Sequence, residues 1–73
     1  MARIEVRAEV TGKVWKIVVP VGSRVEPDEP VMIVESMKME IPTTSEVGGI
    51  VTELLAGEGD AVEDGQVVAI LEG

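Results

Sequence analysis

Lys38 stands between two methionines in the run Glu35-Ser36-Met37-Lys38-Met39-Glu40-Ile41-Pro42. A lysine amine is a nucleophile only when neutral, and with an ordinary pKa of about 10.4 fewer than about one in 2,000 is neutral at pH 7. A lysine that carries out catalysis itself therefore needs a desolvated pocket. A chain of 73 residues offers no cleft in which to build one. Lys38 reads instead as an amine that an outside enzyme activates and modifies, and that then serves as an arm. Exposed methionines are adaptable contact residues, so Met37 and Met39 read as partner contacts. The plain alternative is a solvated surface lysine.

Little else in the chain competes for a chemical role. There is no cysteine and no histidine, which removes disulfides, thiolate nucleophiles and the commonest metal ligands, and no metal site is expected. Fourteen acidic and six basic side chains give a formal net charge of -8. That charge repels phosphate backbones and anionic lipid, so neither nucleic acid nor a membrane surface is an expected partner. Glu35 and Glu40 flank the lysine without a cleft and read as solvated turn carboxylates, not as an acid/base pair. Gly48-Gly49 and Gly57-Glu58-Gly59 neither precede a helix nor match phosphate-loop spacing. Alternation does not decide which face Trp15 occupies in Lys13-Val14-Trp15-Lys16-Ile17, and half-buried packing is expected of it rather than ligand stacking. Residues 1–5 lack an apolar signal core, and no apolar run approaches the roughly 20 residues that span a bilayer. A soluble, cytoplasmic protein is expected.

The elements that must hold Lys38 come from an internal repeat. At a shift of 37, residues 2–36 align with residues 39–73 without a gap, and 11 of the 35 pairs are identical, among them Gly12/Gly49, Gly22/Gly59, Val25/Val62 and Glu35/Glu72. Chance gives roughly two or three. Runs of β-branched residues punctuated by Gly, Pro and Asp read as short strands: 4–8, 14–19 and 31–35 in the first copy, and 41–44, 50–55 and 67–71 in the second. Turns fall at 20–23 and 57–60, and at 27–30 and 63–65. A 35-residue unit cannot bury its apolar face alone, so the two copies are expected to pack face to face in one all-β domain spanning 1–73. Only Met37 and Lys38 lie between them, which makes these two residues a tight hairpin turn. Neither favours the positive φ of a type I′ turn, and a local rule broken at one spot marks function or strain.

With these residues in view, the chain resembles the biotinyl domain family, whose mark is a lysine within Met-Lys-Met on a hairpin of a flattened β-barrel. The resemblance runs on through Gly49-Ile50-Val51, Glu58-Gly59-Asp60 and Val62 to Gly65-Gln66. It implies a barrel-sandwich hybrid of two pseudo-two-fold related four-stranded sheets. It also implies a biotin carboxyl carrier that is not itself an enzyme, with biotin bound covalently to Lys38. A biotin protein ligase would attach it, and the carrier would serve a biotin carboxylase and a carboxyltransferase. Met37 and Met39, with Glu35, Ser36 and Glu40 beside them, would form the recognised tip. Ser36 stands where many members have Ala. The segment 19–24 leaves no room for the protruding thumb of some carriers, so the resemblance is to the thumbless type. Two other readings stay open. A lipoyl carrier shares the fold but usually has Asp-Lys-Ala at the tip. An interaction module would leave Lys38 unmodified.

Overall fold

Valine, isoleucine and threonine, stiff at their branched Cβ, suit a pleated half-buried surface better than a helix. The computed structural model describes residues 2–73; Met1, part of the expected 1–73 unit, lies outside the described residues. Those residues form eight strands and no helix: β1 (Arg3–Arg7), β2 (Gly12–Ile17), β3 (Arg24–Val25), β4 (Pro30–Ser36), β5 (Met39–Thr44), β6 (Gly49–Leu54), β7 (Ala61–Val62) and β8 (Val67–Glu72). They make two antiparallel four-stranded sheets, in the orders β1-β8-β6-β3 and β5-β4-β2-β7.

Moving β1 and β3 forward by 37 residues and β8 and β6 back by 37 converts the first sheet order into the second, so the sheets are pseudo-two-fold mates. The packing differs from two copies laid face to face. Each sheet takes two strands from each copy, and the ladders β1·β8, β4·β5, β2·β7 and β3·β6 all join one copy to the other. The reason lies in the connections. β1 and β5 leave the sheet that holds the next strand of their own copy, and each pairs instead with the last long strand of the other.

The symmetry extends to single hydrogen bonds. The amide of Gly22 donates to the Val51 carbonyl (2.7 Å) and that of Gly59 to the Val14 carbonyl (2.8 Å). In the turns before β4 and β8, the Glu26 amide donates to Glu29 Oε1 (2.8 Å) and the Glu63 amide to Gln66 Oε1 (2.9 Å). The core is paired in the same way: Val14 with Val51, Val25 with Val62, Val31 with Val68 and Val34 with Leu71 are all buried. The strands β3 and β7, absent from the sequence reading, are two residues each and show no period. Their Val25 and Val62 nevertheless close the core at its ends.

Candidate functional site

β4 and β5 form one long hairpin whose register runs Ile33↔Pro42, Val34↔Ile41, Glu35↔Glu40 and Ser36↔Met39, which leaves Met37 and Lys38 as the whole connection. Both take left-handed φ, +50° and +64°, as the centre of a type I′ hairpin turn requires. Glycine or asparagine fits that geometry without strain; each L side chain there costs about 1–2 kcal/mol. Among the described residues the only other non-glycine at positive φ is Asp28. The hairpin ladder below and the core residues Met32 and Val34 hold this turn against that cost.

Strain at the tip comes with exposure. Met37 is 92% exposed and Met39 61%, the two most exposed large apolar side chains described. Lys38 is exposed between them. The ion pairs among the described residues, Arg7–Glu5 and Arg24–Glu26, do not involve it. Glu35 and Glu40 face each other directly across the ladder, with Lys13 of β2 opposite Glu35 on its other side. Two like charges in register oppose pairing slightly, and Lys13 offsets them.

The last rung of the hairpin is tied down at Ser36, whose hydroxyl donates to the Thr11 carbonyl (2.8 Å). Thr11 in turn accepts from the Asp64 amide through Oγ1 (3.0 Å), so that rung is tied to a turn of the other copy. Next to Thr11, Gly12 approaches the Glu35 carbonyl so closely that a Cβ would overlap that oxygen. Its mate Gly49 would bring a Cβ to 2.6 Å from the Glu72 carbonyl. These contacts with backbone carbonyls account for the glycine at both positions, Gly12 and Gly49. Sequence reading marked Gly12 only as one of the identical pairs and gave Thr11 no role. The repeat held the signal for Gly12; Thr11, matched by Gly48, left none.

Two surface grooves, one between β1 and the segment after β5, the other around Gly49, Ile50 and Glu72, do not include residues 35–40. The tip is thus a projecting primary amine between two thioethers, on a stiff two-stranded support. Such a group can be acylated and can carry what it receives.

An all-β barrel-sandwich with a projecting lysine hairpin defines a class of attachment domain. The family model described as biotin-requiring enzyme, for biotin and lipoyl attachment, matches residues 4–71, and the chain belongs to that family. It is 43% identical over 63 residues to the biotin/lipoyl attachment protein of Bacillus subtilis, covering 86% of each chain. It is 36% identical over 67 residues to the biotinylated protein TB7.3 homolog of Mycobacterium leprae, covering 92% of this chain and 94% of that one. Among solved structures, the urea carboxylase of Kluyveromyces lactis superposes with a TM-score of 0.92 at 36% identity, over 99% of this chain and 6% of that one.

Proposed function

We propose that this protein is a biotin carboxyl carrier in which Lys38 is the residue acylated, and that it has no catalytic centre of its own. The observation that carries this reading is the Met37-Lys38 turn: two side chains held at left-handed φ, at a point where glycine would be easier, project an amine and a thioether into solvent. The residues fit an amide-linked acyl group, because the amine is exposed, unpaired among the described residues and unobstructed.

A biotin protein ligase, working with ATP in the cytoplasm, presents the activated acyl group. Lys38 Nζ, having given up one proton to become neutral, attacks its carbonyl carbon; an amide forms, adenylate leaves and the nitrogen gives up a second proton. The formal net charge then goes from -8 to -9. Met37 and Met39 supply adaptable contacts to each enzyme that meets the tip, while Ser36, Glu35 and Glu40 fix the last rungs of the ladder beneath it. The bound group would supply a ring nitrogen able to take up a carboxyl group at a biotin carboxylase and release it at a carboxyltransferase. The chain's part is to hold the tether on a stiff hairpin, which raises the local concentration of its end at each active site.

Lipoate is the second reading, favoured by the name of the Bacillus subtilis relative, which covers both groups. The deciding measurement is the intact mass after incubation with ATP, biotin and a biotin protein ligase, beside a Lys38→Ala variant and a parallel lipoate ligase reaction. A gain of one biotinyl group, lost in Lys38→Ala, is expected. A gain with lipoate alone would move the protein to the lipoyl class, and a gain that persists in Lys38→Ala would remove Lys38 from its role.

A further inference from the structure

The two sheets share one backbone plan, so a side chain present on one outer face and missing from its mate is not required by the fold. Trp15 is such a residue. It is the extra residue of a bulge between Val14 and Lys16, and the mate bulge between Val51 and Glu53 holds Thr52. Thr52 is satisfied locally, its hydroxyl donating to the Ile70 carbonyl (3.2 Å). Trp15, the only aromatic residue of the chain, is 50% exposed. Val14 before it is buried, whereas Trp15 and Lys16 are both exposed, so Trp15 and Lys16 share the outer face of the sheet.

The surroundings differ between mates as much as the bulges do. Along the register, Lys16 is followed by Ile33 and Pro42, and Lys13 by Glu35 and Glu40. The corresponding rows on the other face are Glu53, Ile70, Glu5 and Ile50, Glu72, Arg3. Ile70 is buried, whereas Ile33 is partly open. One outer face therefore carries an exposed indole between two lysines that make no ion pair among the described residues. Its mate is acidic and lacks an aromatic group.

We infer that the Trp15 face is the grip of the enzyme that acylates Lys38, an inference that rests on the carrier reading above. Position selects that partner. Trp15 lies between the Ile33 and Val34 levels of β4, so at ~3.4 Å per residue it is roughly 10 Å below the last rung of the hairpin. A standard interface buries about 800 Å² on each partner and extends well beyond that distance. An enzyme that bonds to Lys38 Nζ must press its body against the tip and the faces beside it. The later enzymes are reached through a longer arm and need not. Charge selects the chemistry of the partner: an apolar pocket for the indole, rimmed by carboxylates that meet Lys13 and Lys16, on a carrier otherwise strongly acidic.

The test is steady-state biotinylation by a biotin protein ligase with carrier concentration varied, for wild type, Trp15→Thr, the charge reversal Lys13→Glu/Lys16→Glu, and Glu53→Ala on the mate face. Thr is the residue that the mate bulge already holds, and thermal melts establish that each variant is folded. The expected result is a KM raised about tenfold or more in Trp15→Thr, with kcat within about twofold. The charge reversal should show a similar rise that shrinks with added salt, and Glu53→Ala should match wild type. In parallel, protein labelled with 5-fluorotryptophan has a single fluorine resonance, which should shift or broaden when ligase is added to Lys38→Ala carrier without ATP. Wild-type KM in both Trp15→Thr and the charge reversal, with an unmoved fluorine signal, would overturn the inference while leaving the carrier reading intact. Failure of the wild type to be acylated would overturn the carrier reading and the inference with it.

Discussion

At the scale of single residues, the two copies form a set of matched pairs in which one member reports on the other. Asp28 and Gly65 occupy the same turn position at φ +66° and +86°. Asp28→Gly should therefore stabilise the protein by up to about 1 kcal/mol, and Gly65→Ala should destabilise it by at least as much; urea denaturation of the two variants checks both signs. Met37 and Lys38 have no mates, because they lie between the copies, and their strain has no fold-level excuse. Met37→Gly should raise stability by about 1 kcal/mol in the same assay while raising the KM for acylation, since it removes the most exposed contact. A loss of stability would show that the turn is not strained at Met37. The turn itself was legible in the sequence only through the repeat: local turn chemistry argued against a type I′ turn at Met-Lys, and the register of two identical units imposed it. The face of Trp15 was not legible in this way, because the bulge at that position breaks the alternation by which a strand shows its faces; the indole, expected half-buried, is half-exposed on the outer face.

At the scale of elements, the long strands could be read from the β-branched runs to within two residues at either end. The short ones could not. Two residues, as in Arg24–Val25 and Ala61–Val62, make no alternation to count, and their pairing is extended by the loops before them, Gly22 and Ser23 bonding to Val51 of β6 and Gly59 and Asp60 to Val14 of β2. Partner choice was equally hidden: a strand's sequence shows which face is apolar but not which neighbour covers its edge. The glycines at the starts of β2 and β6 let their backbones close onto β4 and β8. Gly12→Ala and Gly49→Ala should each cost about 1–3 kcal/mol, since a Cβ would meet a carbonyl oxygen that belongs to a ladder and cannot swing aside. The two differ in what they touch. Gly12 abuts Glu35, three residues before Lys38, the proposed acceptor, so Gly12→Ala should also slow acylation, whereas Gly49→Ala, against Glu72, should change stability alone. Comparing acylation rates at equal folded fraction separates the effects, and equal slowing by both would refute the link from Gly12 to the tip.

At the scale of the molecule, exchange of strands between copies decides how the protein can fold. Of six ladders among the described residues, only β2·β4 and β6·β8 lie within one copy. A lone copy would keep one hairpin-like pair and lose the edge partners on both sides, and a two-stranded pair is marginal in water at best. The buried side chains tell the same story: Val14 and Val34 of the first copy and Val51 and Leu71 of the second belong to one shared core. Peptides 2–36 and 39–73 should therefore each give a disordered circular dichroism spectrum without a melting transition. An equimolar mixture should recover a β spectrum and a melt whose midpoint rises with concentration, as association requires. The intact chain should instead melt in one concentration-independent step, with amides of both sheets exchanging at a common limiting rate. A half that melts cooperatively on its own would mean that the copies are separable units and that their interleaving is incidental to stability. The same interleaving explains why the attachment hairpin can be stiff in so short a chain. β4 and β5 come from different copies, so the ladder beneath Lys38 is also a seam between the halves, and loosening the tip requires opening the molecule.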